Sequence, residues 1–241
     1  MHAFLGTGSC LLFLLALSMT GCRPAGESES PAFVKREYTW EQRIEGVRAG
    51  DFDQVIELDE SITHEQFQML ETCREELRHL EIGQAELNAA DWELLSRLEN
   101  LDWLRLDFSV SDMALESIAK LPHLRILNLP DGEFGDAGLA HLTSLRELEL
   151  LRFHSEAVTD AGLVHVAGLP ALRYLHLIQV PITDVGLKAL HQARTLESLY
   201  LDGGQATDAG LAALLQALPE LHLHKDQLHL PEDPHAHEHR K

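Results

Sequence analysis

Cysteine is scarce: the 241 residues hold three, Cys10, Cys22 and Cys73. The first two sit in or at the end of a leader-like N-terminus. Cys73 is left alone, which excludes an intramolecular disulfide once Cys10 is removed with the leader and Cys22 is lipidated. Its setting, at the end of a short helical pattern, reads as a buried, inert thiol. Basic charge is also short. Nineteen Lys and Arg face 39 Asp and Glu, a formal net charge of −20. That balance argues against nucleic acid as a partner and leaves a basic partner or plain solubility. The apolar run Leu11–Leu17 is too short for a comfortable membrane span. Gly-x-Ser-x-Gly, the P-loop, His-Glu-x-x-His and Cys-x-x-Cys are all missing, so the chain is expected to be non-enzymatic and to need no cofactor.

What the chain does have is repetition. Thr-Asp-Ala-Gly-Leu stands at Thr159–Leu163 and Thr207–Leu211. Variants begin at Thr183, Gly135 and Ser111. Each follows a Leu-x-x-Leu-x-Leu block or a near match. These blocks begin at Leu77, Leu101, Leu124, Leu145, Leu172 and Leu196, spaced 24, 23, 21, 27 and 24 residues apart. Self-similarity at this period predicts stacked supersecondary units, about seven counting degenerate ones upstream.

The last two leucines of each block alternate as on a strand, so Leu175 and Leu177 face inward while Tyr174, His176 and Ile178 face outward. Thr183-Asp184 reads as a helix start, with the Thr hydroxyl as cap and the Asp charge at the positive end of the helix. Capping is the expected role of the recurring Asp112, Asp136, Asp160, Asp184 and Asp208. The glycine two residues on lets the helix approach its neighbour. The expected fold is an α/β solenoid, a horseshoe with a curved parallel sheet on its concave face and helices on its convex face.

These motifs resemble leucine-rich repeats. The TDAGL form is similar to repeats abundant in planctomycete and related bacterial proteins, and to the ribonuclease-inhibitor-like repeats of F-box ubiquitin ligases. No F-box stands upstream, and Leu, Ile, Gln or Gly replaces the cysteine usual near the turn, so no ligase role is carried over.

The expected organisation is a leader over residues 1–21, a flexible tether over 22–37, a capping helix over 38–51, the repeats over 52–230 and a His-rich tail over 231–241. Met19-Thr20-Gly21-Cys22 resembles a bacterial lipobox, which implies lipidation of Cys22 and a cell-envelope address, on the periplasmic side or the outer membrane. The rival reading is plain secretion after cleavage. Contact with the membrane is expected through the N-terminal lipid only.

Two regions are candidates for function. The outward strand positions are expected to fall into rows: His79, Trp103, Ile126, Glu147, Tyr174, Ser198; then Glu81, Arg105, Asn128, Glu149, His176, Tyr200; then Gly83, Asp107, Pro130, Leu151, Ile178, Asp202. Exposed aromatics among polar groups have the composition of interaction hot spots. The expected surface for a protein or peptide ligand is therefore Trp103, Ile126, Glu149, Tyr174, His176, Ile178, Tyr200 and Asp202. Glu149, His176 and Tyr200 are expected side by side, with His222 extending the row. The second region is His222, His224, His229, His235, His237 and His239, whose His-x-His pairs suit weak capture of Zn, Ni or Cu.

Overall fold

A computed structural model describes residues 38–226 and the backbone of residues 228–229. Cys22, the leader, the tether, His235, His237 and His239 lie outside the described residues, as does the side chain of His229.

Each unit is a strand, a turn and a short helix. The strands are β1 (Gln54–Ile62), β2 (His79–Ala85), β3 (Trp103–Leu106), β4 (Ile126–Leu129), β5 (Leu150–His154), β6 (Tyr174–Ile178), β7 (Ser198–Asp202) and β8 (His222–Lys225). They pair in chain order, all parallel, and a short β9 (Leu228–His229) folds back antiparallel on β8. The helices are α1 (Trp40–Ala49), α2 (His64–Gln68), α3 (Ala89–Leu95), α4 (Asp112–Ile118), α5 (Asp136–His141), α6 (Gly162–Ala167), α7 (Asp184–Leu190) and α8 (Asp208–Ala217).

The core follows from the pattern. Inward strand leucines such as Leu104, Leu127, Leu175 and Leu177 meet helix leucines such as Leu115, Leu139, Leu163 and Leu187, all buried in one continuous cluster from Trp40 to Leu223. Each buried leucine contributes about 1.5–3 kcal/mol, and no single unit could bury its own set. At the N-terminal end α1 carries a capping box between Thr39 and Gln42. Its Trp40, Ile44 and Val47 are buried, and the Trp40 indole N–H donates to the Gln66 carbonyl at 2.7 Å.

The register of β5 corrects the expected rows. Leu150 pairs with Ile126 and Tyr174, and Arg152 pairs with Asn128 and His176. Leu151 is 0 % exposed, as are Leu148 and Phe153. The repeat block here is therefore Leu148-x-x-Leu151-x-Phe153, not the block beginning at Leu145. Leu145 instead matches Leu121 and Leu169, which follow their helices at the same 24-residue period. The slip is three residues, an odd number, so every side chain changes face. Burying Phe153 against Phe134, ring centroids 5.4 Å apart, favours the observed register.

Asp112, Asp136, Asp160 and Asp184 bond the next repeat rather than cap their own helices, which corrects a second expectation. Asp160 accepts from the backbone N–H of Thr183 at 2.7 Å and from its hydroxyl at 2.6 Å, one repeat later. Asp136 binds Thr159 in the same way, and Asp184 binds Thr207. The threonine oxygen meanwhile accepts from its own helix: Thr183 from the Val185 N–H, Thr207 from the Gly210 N–H. The following glycine completes the staple. A Cβ on Gly186 would collide with the Asp160 carboxylate, and one on Gly138, Gly162 or Gly210 with Asp112, Asp136 or Asp184. Thr-Asp-x-Gly is thus one half of a joint whose other half lies in the next repeat.

Candidate functional site

Strand alternation puts every second side chain on the concave face. The first row is His79, Trp103, Ile126, Leu150, Tyr174, Ser198 and His222. The middle row is Glu81, Arg105, Asn128, Arg152, His176, Tyr200 and His224. In the third row Ile178 lies between His154 and Asp202.

Of the expected ligand-facing residues, Trp103, Ile126, Tyr174, His176, Ile178, Tyr200 and Asp202 do stand on this face. Glu149 does not. It precedes β5 and pairs with Arg125 at 2.8 Å and Arg173 at 3.9 Å. The expected trio of Glu149, His176 and Tyr200 is therefore not assembled: Arg152 takes the place beside His176. His222 also misses the expected row. It pairs with Ser198, and His224 is the neighbour of Tyr200. Leu150, Arg152 and His154 were the residues missed in the sequence. Their signal was the uneven 21 and 27 spacing, which together make two repeats of 24.

The face divides by chemistry. Its first row is largely apolar at the centre, with the Trp103 ring stacked on His79 at 4.7 Å between centroids. The Tyr174 hydroxyl donates to Glu197 at 3.2 Å, and Arg173 lies over the Tyr174 ring at 5.1 Å. Burial pushes the Tyr174 phenol up from its ordinary pKa, and the charge of Glu197 adds to this. The middle row is a polar chain. The hydrogen bond with His79, 2.6 Å long, holds the Glu81 carboxyl below its ordinary range against the opposing effect of burial. Arg105 joins Glu81 at 3.4 Å and Asp107 at 2.8 Å through Nε. Arg152 donates from Nη1 to Asn128 at 2.9 Å and from Nε to His176 Nδ1 at 3.2 Å. The opposite nitrogen of His176 bonds Asp202 at 2.7 Å. Tyr200 stacks on His224 with centroids 4.3 Å apart.

Beside Asp202 a cleft of about 360 Å3 opens at the ends of β6 and β7, lined by Ile178, Gln179, Asp202, Gly203 and Asp226. Gln179 (φ 53°) and Asp226 (φ 50°) both adopt the left-handed conformation there, which non-glycine residues rarely take and which concentrates at ligand-contacting turns. His222 and His224 approach with Nε2 atoms 3.1 Å apart. Among the described residues no group of three or more His, Cys, Asp or Glu is arranged to hold a metal ion. Cys73 is buried, and burial, with the nearby Glu76, pushes its thiol up to about 11.

A leucine-rich repeat family model matches residues 120–142. That stretch takes in β4, its turn and α5, and so spans one full unit. Among solved structures the chain is similar to internalin C2 of Listeria monocytogenes, with a TM-score of 0.54 and 20 % identity over 77 % of this chain and 73 % of that one. It is similar also to the internalin inlF of the same species, with a TM-score of 0.53 and 22 % identity over 80 % of this chain. The fold is a leucine-rich repeat solenoid. The match spans about half, 51 %, of the inlF chain. At this level of identity the likeness concerns architecture. No curated protein sequence matches the chain.

Proposed function

We propose that this leucine-rich repeat solenoid is a non-enzymatic binding module that holds a protein or peptide along its concave face. The observation behind this reading is the juxtaposition of two rows. An apolar strip through Ile126, Leu150 and Tyr174 runs beside a hydrogen-bonded polar chain through Arg105, Asn128, Arg152 and His176. All seven side chains are partly exposed. Apolar area for affinity next to fixed polar groups for orientation is the composition of recognition surfaces. An extended segment laid along the strand direction meets successive rows at intervals of about 6.6 Å.

The test is capture from a native envelope extract. Replacing Tyr174 and Tyr200 by Ala is expected to reduce capture at least tenfold, since losing a hot-spot aromatic commonly costs about 2 kcal/mol or more. Replacing His141 and His165, on α5 and α6, is expected to leave capture unchanged. The reverse pattern would move the binding surface to the helices.

The address belongs to the same proposal. Lipidation at Cys22 would tether the array to the cell envelope, in keeping with the leader-like Leu11–Leu17 run and the small residues before Cys22. The substitution Cys22→Ala is expected to abolish partitioning into detergent, and unchanged partitioning would refute the anchor.

A further inference from the structure

The two arginines of the middle row differ in how their charge is met. Arg105 is neutralised by Asp107 and Glu81. Among the described residues Arg152 has two acceptors, Asn128 Oδ1 and His176 Nδ1. Neither is a carboxylate, and among the described residues no ion pair forms on this guanidinium. Asp107 and Asp202 act on it from a distance, but each is already engaged, Asp107 by Arg105 and Asp202 by His176.

The geometry also fixes the role of His176. An arginine N–H can only donate, so His176 Nδ1 accepts, and its Nε2–H donates to Asp202. Asn128, Arg152, His176 and Asp202 thus form one oriented chain. It holds the guanidinium through Nε and Nη1, and among the described residues Nη2 has no acceptor. Burial, with the like charge of Arg105, depresses the Arg152 pKa. A half-buried cation with satisfied neighbours and an open edge is stabilised by an anion that reaches it. One guanidinium matches one negative charge, and the net charge of −20 works against a ligand carrying more.

We propose that the ligand of the concave face is an acidic–apolar peptide segment that sets an Asp or Glu carboxylate on Arg152 and an apolar side chain on the strip formed by Ile126 and Leu150. This rests on the concave-face reading above and narrows it to one partner chemistry. Leu150 and Arg152 are alternate residues of β5, about 6.6 Å apart. Residues two apart in an extended peptide have the same spacing, so a carboxylate and an apolar residue at positions i and i+2 fit both places together. The nearby carboxylates Glu81, Asp107 and Asp202 are already paired, which turns the local preference away from the basic partner that net charge alone would favour.

The test uses a displayed library of random dodecapeptides panned on the full chain. Sequences selected by the unchanged protein are expected to be enriched in Asp or Glu two positions from Leu, Ile or Phe. Arg152→Met keeps the aliphatic stem and removes the charge; it is expected to lower binding of the selected pool at least fivefold. Arg152→Lys should restore part of it, because the charge returns without the planar fork. Arg48→Met, on α1, should change nothing. Melting temperatures confirm that each variant folds. If the pool is not acidic, or binds Arg152→Met undiminished yet loses binding on Tyr174→Ala/Tyr200→Ala, the Arg152 proposal is overturned and the concave face stands. Binding that ignores both sets of substitutions overturns the concave reading itself, and a pool with no enriched sequence counts against both.

Discussion

Leu150 and Leu151 are chemically identical neighbours with opposite environments. Leu150 lies in the outward row between Ile126 and Tyr174, and Leu151 is fully buried. An unpaired carboxylate at the buried position is expected to cost about 3–5 kcal/mol, and the same change at the outward position about 1 kcal/mol or less. Denaturant unfolding of Leu151→Asp and Leu150→Asp measures both. Equal losses, or the larger loss at Leu150, would restore the register in which Leu151 faces solvent. The identity of most outward residues was legible from Leu-x-x-Leu-x-Leu alone, as Tyr174, His176 and Tyr200 show. It was not legible in β5, because Glu147–Leu151 alternates polar and apolar as well as Leu150–His154 does. What separates the two is the partner of Phe153, and Phe134 lies 19 residues earlier in the chain.

At the scale of the element, the short helices depend on their neighbours. Helix α7 has seven residues, too few to be stable alone in water. Its N-terminus is held by Thr183, and Thr183 in turn by Asp160 of the preceding unit. Gly186 is the contact point of this joint: a methyl group there meets the Asp160 carboxylate. Gly186→Ala is therefore expected to destabilise by about 1–3 kcal/mol, although alanine is the better helix former. In an Asp160→Ala background the same substitution should cost at least about 1 kcal/mol less, because the clashing group is gone. Additive losses across this double-mutant cycle would show that the glycine serves some other purpose. The starts of α7 and α8 were legible in the sequence down to the capping threonine, whereas α6 begins only at Gly162, after an Ala161 that offers no side-chain cap. The destination of the aspartate was not legible, since the local rule of placing acid at a helix N-terminus accounts for the same residue.

For the whole molecule, the net charge of −20 sets a long-range field that opposes the ligand assigned to Arg152. Approach and contact then respond to salt in opposite ways. Screening weakens the repulsion that an acidic peptide meets at a distance, while the pair with a half-buried guanidinium is screened less. The association rate of a selected acidic peptide is expected to rise severalfold between about 0.01 M and about 0.15 M salt, as read by stopped-flow fluorescence. A falling rate would mean that the peptide is steered by a basic surface elsewhere on the chain.

Periodicity determined the architecture. A unit with one apolar strand face and one apolar helix stripe must stack, and each Leu-x-x-Leu-x-Leu followed by Thr-Asp places both at the 24-residue repeat. Composition and spacing therefore sufficed for the sheet order, for the inward leucines outside β5 and for most helix starts. The tertiary structure decided which residues meet across repeats. Contacts such as Asp160 with Thr183, Arg152 with His176 and His176 with Asp202 join residues 23–26 positions apart. Nothing local to either partner distinguishes them from a cap or a solvated charge. A slip of three residues in one strand exchanged Glu149 for Arg152 at the centre of the face and reversed the sign of its charge. Register at that point is settled by how Leu151 and Phe153 pack, which is a property of the assembled core.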